Sequence, residues 1–389
     1  MRQRVWVGIE SFALLLMIFY LIINQRKITI STQFNWLIIT YFVGLTISIF
    51  SAYVFHHQSI IESLAGYTSF AFIILYYYLH KKRYKIKTLE KCILACGIIF
   101  QIIYWFEIKT NATLFGFFWG DPSTGVVRVM FNGRHIFILS YYLILSRFRL
   151  NIKSILLLLF SLSTILLMET RQLIIPALLI TAYHFRSYIL KSFITVIAIA
   201  ATVTFVIAQN DTLITALIGK SQKEISENRI GADRWETAYY YLFAYNKNLF
   251  TRIFGDGLAT PGSAYGNQML NLGKETSFSP SDVGPLGYAA FLGIVWAISV
   301  ILMVYKSLRI KTPYRFIYAR YYMLNVLATL FFGEKQFVQA SSIIVLAIVF
   351  YILDKTNYEM KPDRLEDNEA ELDNEYLLHS EIPPVLITV

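Results

Sequence analysis

The stretch LLMETRQLIIPALL, residues 166–179, sets Glu169 and Arg171 two positions apart in an apolar run with no other charge from Ile155 to Ala182. An ionisable side chain at membrane depth is expensive and is kept, by default, for function. A guanidinium in that setting is a phosphate receptor, because its planar fork of N–H donors matches phosphate oxygens. The structural alternative is a Glu169–Arg171 pair that only fixes helix packing. GDPSTGVVRVMFNGRH, residues 120–135, adds Arg128, Arg134 and His135. Those arginines are either ligand groups or simple interface anchors. ADRWETAYYYLFAYNKNLF, residues 232–250, carries Arg234 beside Trp235, with Arg229 just upstream. Its aromatics Trp235, Tyr239, Tyr240, Phe243 and Phe250 recur at helix-like spacing, which suits a membrane interface. SPSDVGPLGY, residues 279–288, puts Asp282 directly before another apolar run. It reads either as a helix N-cap or as a general base at the membrane surface. Metal-ligand spacing is absent: His56 and His57 are adjacent, which is wrong for one helix face. GDG at 255–257 is a turn and by itself says nothing about nucleotides.

The elements that must position these residues follow from composition. The chain has 389 residues, 56% of them hydrophobic and only 15% charged, against about 25% charged in soluble domains. Many stretches reach the ~17–25 apolar residues of a spanning helix. The fold class is therefore an all-α polytopic membrane protein with about 11 (10–12) transmembrane helices, read at 5–23, 34–54, 60–79, 89–107, 130–146, 154–168, 171–185, 189–208, 283–305, 316–332 and 337–353. One long extracytoplasmic loop holds an amphipathic helix. Residues 1–208 form an N-terminal transmembrane bundle of about eight spans, with an outer loop at 108–134. Residues 209–282 are the extracytoplasmic loop, 283–353 the C-terminal helices, and 354–389 an acidic, disordered cytoplasmic tail. Cys92 and Cys96, the only cysteines, fall four apart on one apolar helix and read as buried free thiols.

Charge orients the spans. The tail at 354–389 has ten acidic and three basic residues, so the rest of the chain is 32 basic against 15 acidic, or +17. Short loops rich in Lys and Arg face the cytoplasm. HKKRYKIK at 80–87, RFRLNIK at 147–153, HFRSYILK at 184–191 and YKSLRIKTPYR at 305–315 agree by parity. Counting back from them places MRQR outside, against its own charge. The basic excess calls for a lipid bilayer as partner and for no nucleic acid. Residues 154–185 then form a hairpin whose METRQ tip points outward. Each arm of about 14 residues rises roughly 21 Å, short of a core about 30 Å thick, so the tip is recessed.

The order of these features resembles the O-antigen polymerase and ligase superfamily, specifically the Wzy-type polymerases of bacterial polysaccharide repeat units. The resemblance runs over about residues 120–300: an outer arginine loop, T-R between two short spans, R-W with an aromatic helix, an F-G-D-G turn, and a polar residue opening a span that reads G-P-L-G-Y-A-A-F-L-G. Each motif is loose; their order is the more specific signal.

That resemblance implies polymerisation of undecaprenyl-diphosphate-linked oligosaccharide units into O-antigen, capsular or exopolysaccharide at the outer face of the bacterial inner membrane. It implies a membrane glycosyltransferase of GT-C-like type with no cofactor and no metal. It further implies as partners the chain-length regulator and the flippase of the same pathway. By motif, Arg128, Arg171 and Arg234 (or Arg229) hold diphosphates, with Arg134 beside them and Glu169 and His135 in support. Asp282 stands where ligase relatives often have a histidine, which favours polymerase over ligase. An O-antigen ligase-like glycan transferase and a lipid-linked oligosaccharide flippase are the alternative readings.

Overall fold

The computed structural model describes residues 2–23, 32–110, 116–119, 128–131, 133–168, 171–186, 232–246, 248–276, 278–330 and 337–359. Apolar runs become helices because a backbone in lipid must satisfy its own N–H and C=O groups. The first helices are α1 (Arg2–Ile23), α2 (Asn35–His56), α3 (Ile60–Ala71) and α4 (Leu75–Lys82). A 3-10 turn at Phe72–Ile74 joins α3 to α4 as one rod. There follow α5 (Ile86–Thr110), α6 (Arg134–Ser146), α7 (Ile152–Leu167) and α8 (Arg171–Phe185). Beyond residue 231 come the short α9 (Ala232–Tyr239), α10 (Leu249–Phe254) and α11 (Ala264–Thr276). The long α12 (Pro285–Arg309), α13 (Ile317–Thr329) and α14 (Ala340–Glu359) are the last of the described helices. Among the described residues five stretches are long and apolar enough to cross a membrane: Asn35–His56, Ile60–Lys82, Ile86–Thr110, Pro285–Arg309 and Ala340–Tyr358. The chain is a helical membrane protein on that count, and shorter apolar helices at α1, α6, α7 and α8 pack with them. The span expected at 189–208 lies outside the described residues.

One departure from an all-α reading lies in the 108–134 segment. Strands β1 (Gly116–Trp119) and β2 (Arg128–Phe131) pair antiparallel there, with Trp119 opposite Arg128.

Local sequence explains the element ends. At the α2–α3 corner, His57 takes a left-handed φ of 52° and its N–H returns to Ala52 O. Ser59 then opens α3 with a capping box: its Oγ accepts from Glu62 N, and the Glu62 carboxylate accepts from Ser59 N, satisfying two orphan donors. Asn151 caps α7 by accepting from Ser154 N at 2.8 Å.

The centre of the bundle is α12 and α14, both mostly buried. α12 lies between α2 and α13, and α14 packs on α4 and α6. Gly44 lets α2 approach the fully buried Trp296 of α12; a Cβ there would lie 2.9 Å from Trp296 Cβ. Small residues at such crossings permit close packing where lipid supplies no hydrophobic drive. Cys92 and Cys96, expected to be buried, are exposed on the outward face of α5. Lipid and core are equally apolar, so that face looks the same in sequence.

Candidate functional site

The bundle has a basic end. Lys306 Nζ donates to Gln33 O, and Lys355 Nζ donates to Tyr84 O. Asp354 accepts from Gln33 N, and Arg147 pairs with the buried Glu90. These bonds draw the basic stretches at 80–87, 147–153 and 305–315 to one end. α1 finishes there too, since Lys81 Nζ donates to Leu21 O and Lys82 sits 4.1 Å over the Tyr20 ring. The start of α1 therefore lies toward the opposite, far end.

At the far end the close of α7 and the opening of α6 share one level, beside Tyr104 of α5. Tyr104 of α5 donates its hydroxyl to Leu167 O, the last residue of α7, at 3.1 Å. The same ring meets Phe137, one turn into α6, at 5.8 Å. Tyr104 is six residues short of Thr110, the end of α5, a rise of about 9 Å. The end of α7 is thus recessed relative to α5. The arms explain why: α7 has 16 residues and α8 has 15, against 25 in α5.

Arg134 and His135 open α6 at this level, 7% and 1% exposed. Tyr322 of α13 lies 3.5 Å from His135 Nδ1. Tyr318, Tyr322, Asn325 and Thr329 form one buried polar face of α13, and Asn325 Nδ2 donates to Tyr142 OH of α6 at 2.9 Å. Glu107, fully buried, stands one turn beyond Tyr104 on α5, as Arg134 stands one turn beyond Phe137 on α6. Glu107 is not among the residues singled out by sequence above. The signal for it is a carboxylate near the end of an apolar run.

The remaining expected site residues fall as follows. Arg171 opens α8, the helix that follows the recessed end of α7. Arg128 opens β2 across from Trp119. Glu169 and Arg229 lie outside the described residues. Arg234 is exposed on α9, and Asp282 is exposed in a 3-10 turn at Pro280–Val283. α9 packs on that turn, so Arg234 and Asp282 belong to neighbouring elements. Burial raises the Tyr241 phenol, and the Tyr240 hydroxyl and the Asp282 carboxylate push it further the same way. The N-cap reading of Asp282 is overturned: Gly284 holds that position of α12, with no side-chain cap bond. Among the described residues no three His, Cys, Asp or Glu gather in a metal-binding group.

The 209–282 segment is not wholly an outer loop. α12 breaks at Gly293, where φ is 87° and ψ 157°. The break frees carbonyls that a continuous helix would use. Ala290 O accepts from Asp256 N at 3.0 Å and from Asn246 Nδ2 at 3.1 Å, and Phe291 O accepts from Gly257 N at 2.8 Å. The GDG turn therefore enters the bundle between the broken α12 and α2. Gly257 has φ 85°, and a Cβ on it would sit 2.4 Å from Ala52 Cβ and 2.6 Å from Ser48 O. Those contacts lie four to eight residues before the end of α2, a depth of about 6–12 Å.

Gln58, 2% exposed, clasps the inserted turn. Its Nε2 donates to Leu258 O at 2.9 Å and to Ser63 Oγ at 2.8 Å. Its Oε1 accepts from Thr260 N at 2.9 Å and from Ser263 Oγ at 3.0 Å. Tyr67 adds its hydroxyl as acceptor for Leu258 N. Asp256 faces His56, with Oδ1 at 3.7 Å from Nε2, and the His56 ring stacks on Tyr265 at 3.7 Å. No family model matches the chain, and neither a curated protein nor a solved structure matches it.

Proposed function

We propose that this chain is a bacterial inner-membrane glycosyltransferase that polymerises oligosaccharide units carried on undecaprenyl diphosphate. The observation that carries the reading is the pairing of the buried Arg134 and His135 with the recessed end of α7, after which Arg171 begins α8. That arrangement sits at the end of the bundle away from the basic loops, which the charge bias assigns to the outer face. Cations in a water-poor recess stabilise charge developing on a leaving diphosphate far better than they would in water.

In this mechanism the acceptor sugar hydroxyl attacks the anomeric carbon of the donor glycan. The bond from that carbon to the diphosphate oxygen breaks, and the diphosphate leaves with the electron pair. Arg134 and Arg171, with Arg128 from the adjoining ribbon, receive that charge. Arg234 orients the second lipid-linked unit beside Asp282, which accepts the hydroxyl proton. Arg229, Glu169 and His135 take supporting roles. The reaction needs alignment and a proton acceptor and no nucleotide sugar.

The test is reconstitution of the purified chain in proteoliposomes with undecaprenyl-diphosphate-linked oligosaccharide. A ladder of products spaced by one repeat unit, with release of undecaprenyl diphosphate, is the expected result. Arg134→Lys keeps the charge and loses the fork, and the ladder should fall strongly with insertion unchanged. Transfer of a preformed polymer to a different lipid acceptor would favour a ligase instead. Movement of intact substrate across the bilayer without a new glycosidic bond would favour a flippase.

A further inference from the structure

The expected aromatic stripe of residues 235–250 divides into two faces. A π-helical turn at Tyr240–Ala244, closed by Tyr245 N donating to Tyr240 O at 2.7 Å, sets the division. Inward, Tyr240 meets Phe278 at 5.4 Å, while Tyr241 and Tyr245 meet Phe291 at 5.6 and 5.2 Å. Outward, Trp235, Tyr239 and Phe243 are 77%, 66% and 58% exposed. Leu249 and Phe250 extend the outward face at 71% and 44%. Five large side chains in one exposed strip exceed what a water-facing surface tolerates without a partner.

Two observations name the partner. First, the strip is continuous with the flank of a spanning helix: the Phe250 ring meets Phe55 of α2 at 5.9 Å. Tyr53, Val54 and Phe55 are all exposed in the last turn of α2, a helix long and apolar enough to cross a membrane. Second, Arg234 and Glu236, both exposed, flank Trp235. Charges beside a Trp–Tyr strip suit the boundary between headgroups and acyl chains rather than the hydrocarbon centre.

We propose that residues 232–246 and 248–254 form an interfacial element lying in the headgroup–acyl boundary, with Trp235, Tyr239, Phe243, Leu249 and Phe250 sunk among the lipids. The partner is the bilayer itself. Because α9 packs on the Pro280–Val283 turn, this anchoring sets Arg234 and Asp282 at headgroup depth. The inference is independent of the proposed reaction.

The test reads Trp235 alone, as the fluorescence of the wild type minus that of Trp235→Phe. The substitution removes an exposed side chain and preserves an aromatic, so the fold is retained. The full chain is placed in phosphatidylcholine–phosphatidylglycerol vesicles with bromine either high on the acyl chains or near the methyl end. The expected result is at least about twofold quenching by the shallow bromine, weaker quenching by the deep bromine, and little by aqueous iodide, as for an interfacial helix. Quenching by iodide without quenching by bromolipid would put the strip in water and overturn the proposal. Stronger deep than shallow quenching would put it in the hydrocarbon and also overturn it. Protection from both quenchers would mean that protein, such as a second copy, covers the strip, and the proposal would again fall.

Discussion

Gln58→Ala probes the clasp that holds the GDG turn inside the bundle. The side chain makes three hydrogen bonds to the inserted segment, to Leu258 O, Thr260 N and Ser263 Oγ. Each contributes about 0.5–1.5 kcal/mol net, and a donor left unsatisfied adds about 1–3 kcal/mol. Thr260 is partly exposed, so water can reach its freed N–H and the lower part of that range applies. The working figure is ~3 kcal/mol, which raises the local opening equilibrium more than about a hundredfold at ~1.4 kcal/mol per decade. The effect is local, because Gln58 holds a turn and not the bundle core. Hydrogen exchange read by mass spectrometry should therefore accelerate at the amides of Asp256, Gly257, Leu258 and Thr260. The amides of 345–353, in the buried centre of α14, should keep their protection. If exchange at 256–260 changed by less than about threefold in a folded variant, the clasp would be incidental and the turn would be held by α12 alone.

Gly257→Ala should destabilise the chain by more than Gly262→Ala. Both residues have positive φ, but a Cβ at 257 meets Ala52 and Ser48 whereas one at 262 meets nothing within 4 Å. The second should cost about 1–2 kcal/mol of backbone strain, and comparison of thermal midpoints in detergent checks the order. Asp282→Asn keeps the size and an acceptor oxygen, and Gly284, not Asp282, occupies the N-cap position of α12. Polymer per inserted protein should fall at least about a hundredfold if the carboxylate accepts a proton; normal polymer would remove Asp282 from the reaction. Cysteines at Pro261 and Arg83, both exposed and at opposite ends, should react with an impermeant thiol reagent from opposite sides of the membrane. Labelling of both from one side would refute the assignment of the basic end.

Apolar run lengths and the placement of Lys and Arg determined the helical class, most element ends and the gathering of the basic loops. These are local or additive properties: a run of about 20 apolar residues must close its own hydrogen bonds wherever it sits in lipid. Arg134 and His135 stood out in the sequence only as charged or ionisable groups beside an apolar run; their burial was supplied by the packing of α6. Glu107 carried its own signal, a carboxylate near the end of an apolar run.

Tertiary structure alone decided the rest. The inserted turn depends on Gln58 meeting residues about two hundred positions away, and on carbonyls of Ala290 and Phe291 freed by a break at Gly293. Nothing near GDG in sequence announces those partners. Which face of an apolar helix meets lipid is equally hidden, as Cys92 and Cys96 illustrate, because lipid and protein core reward the same side chains. The division of the 235–250 aromatics into a packed face and an exposed one needed the π turn and Phe291. Spacing reports periodicity along a helix, but the side that is buried is chosen by what packs against it.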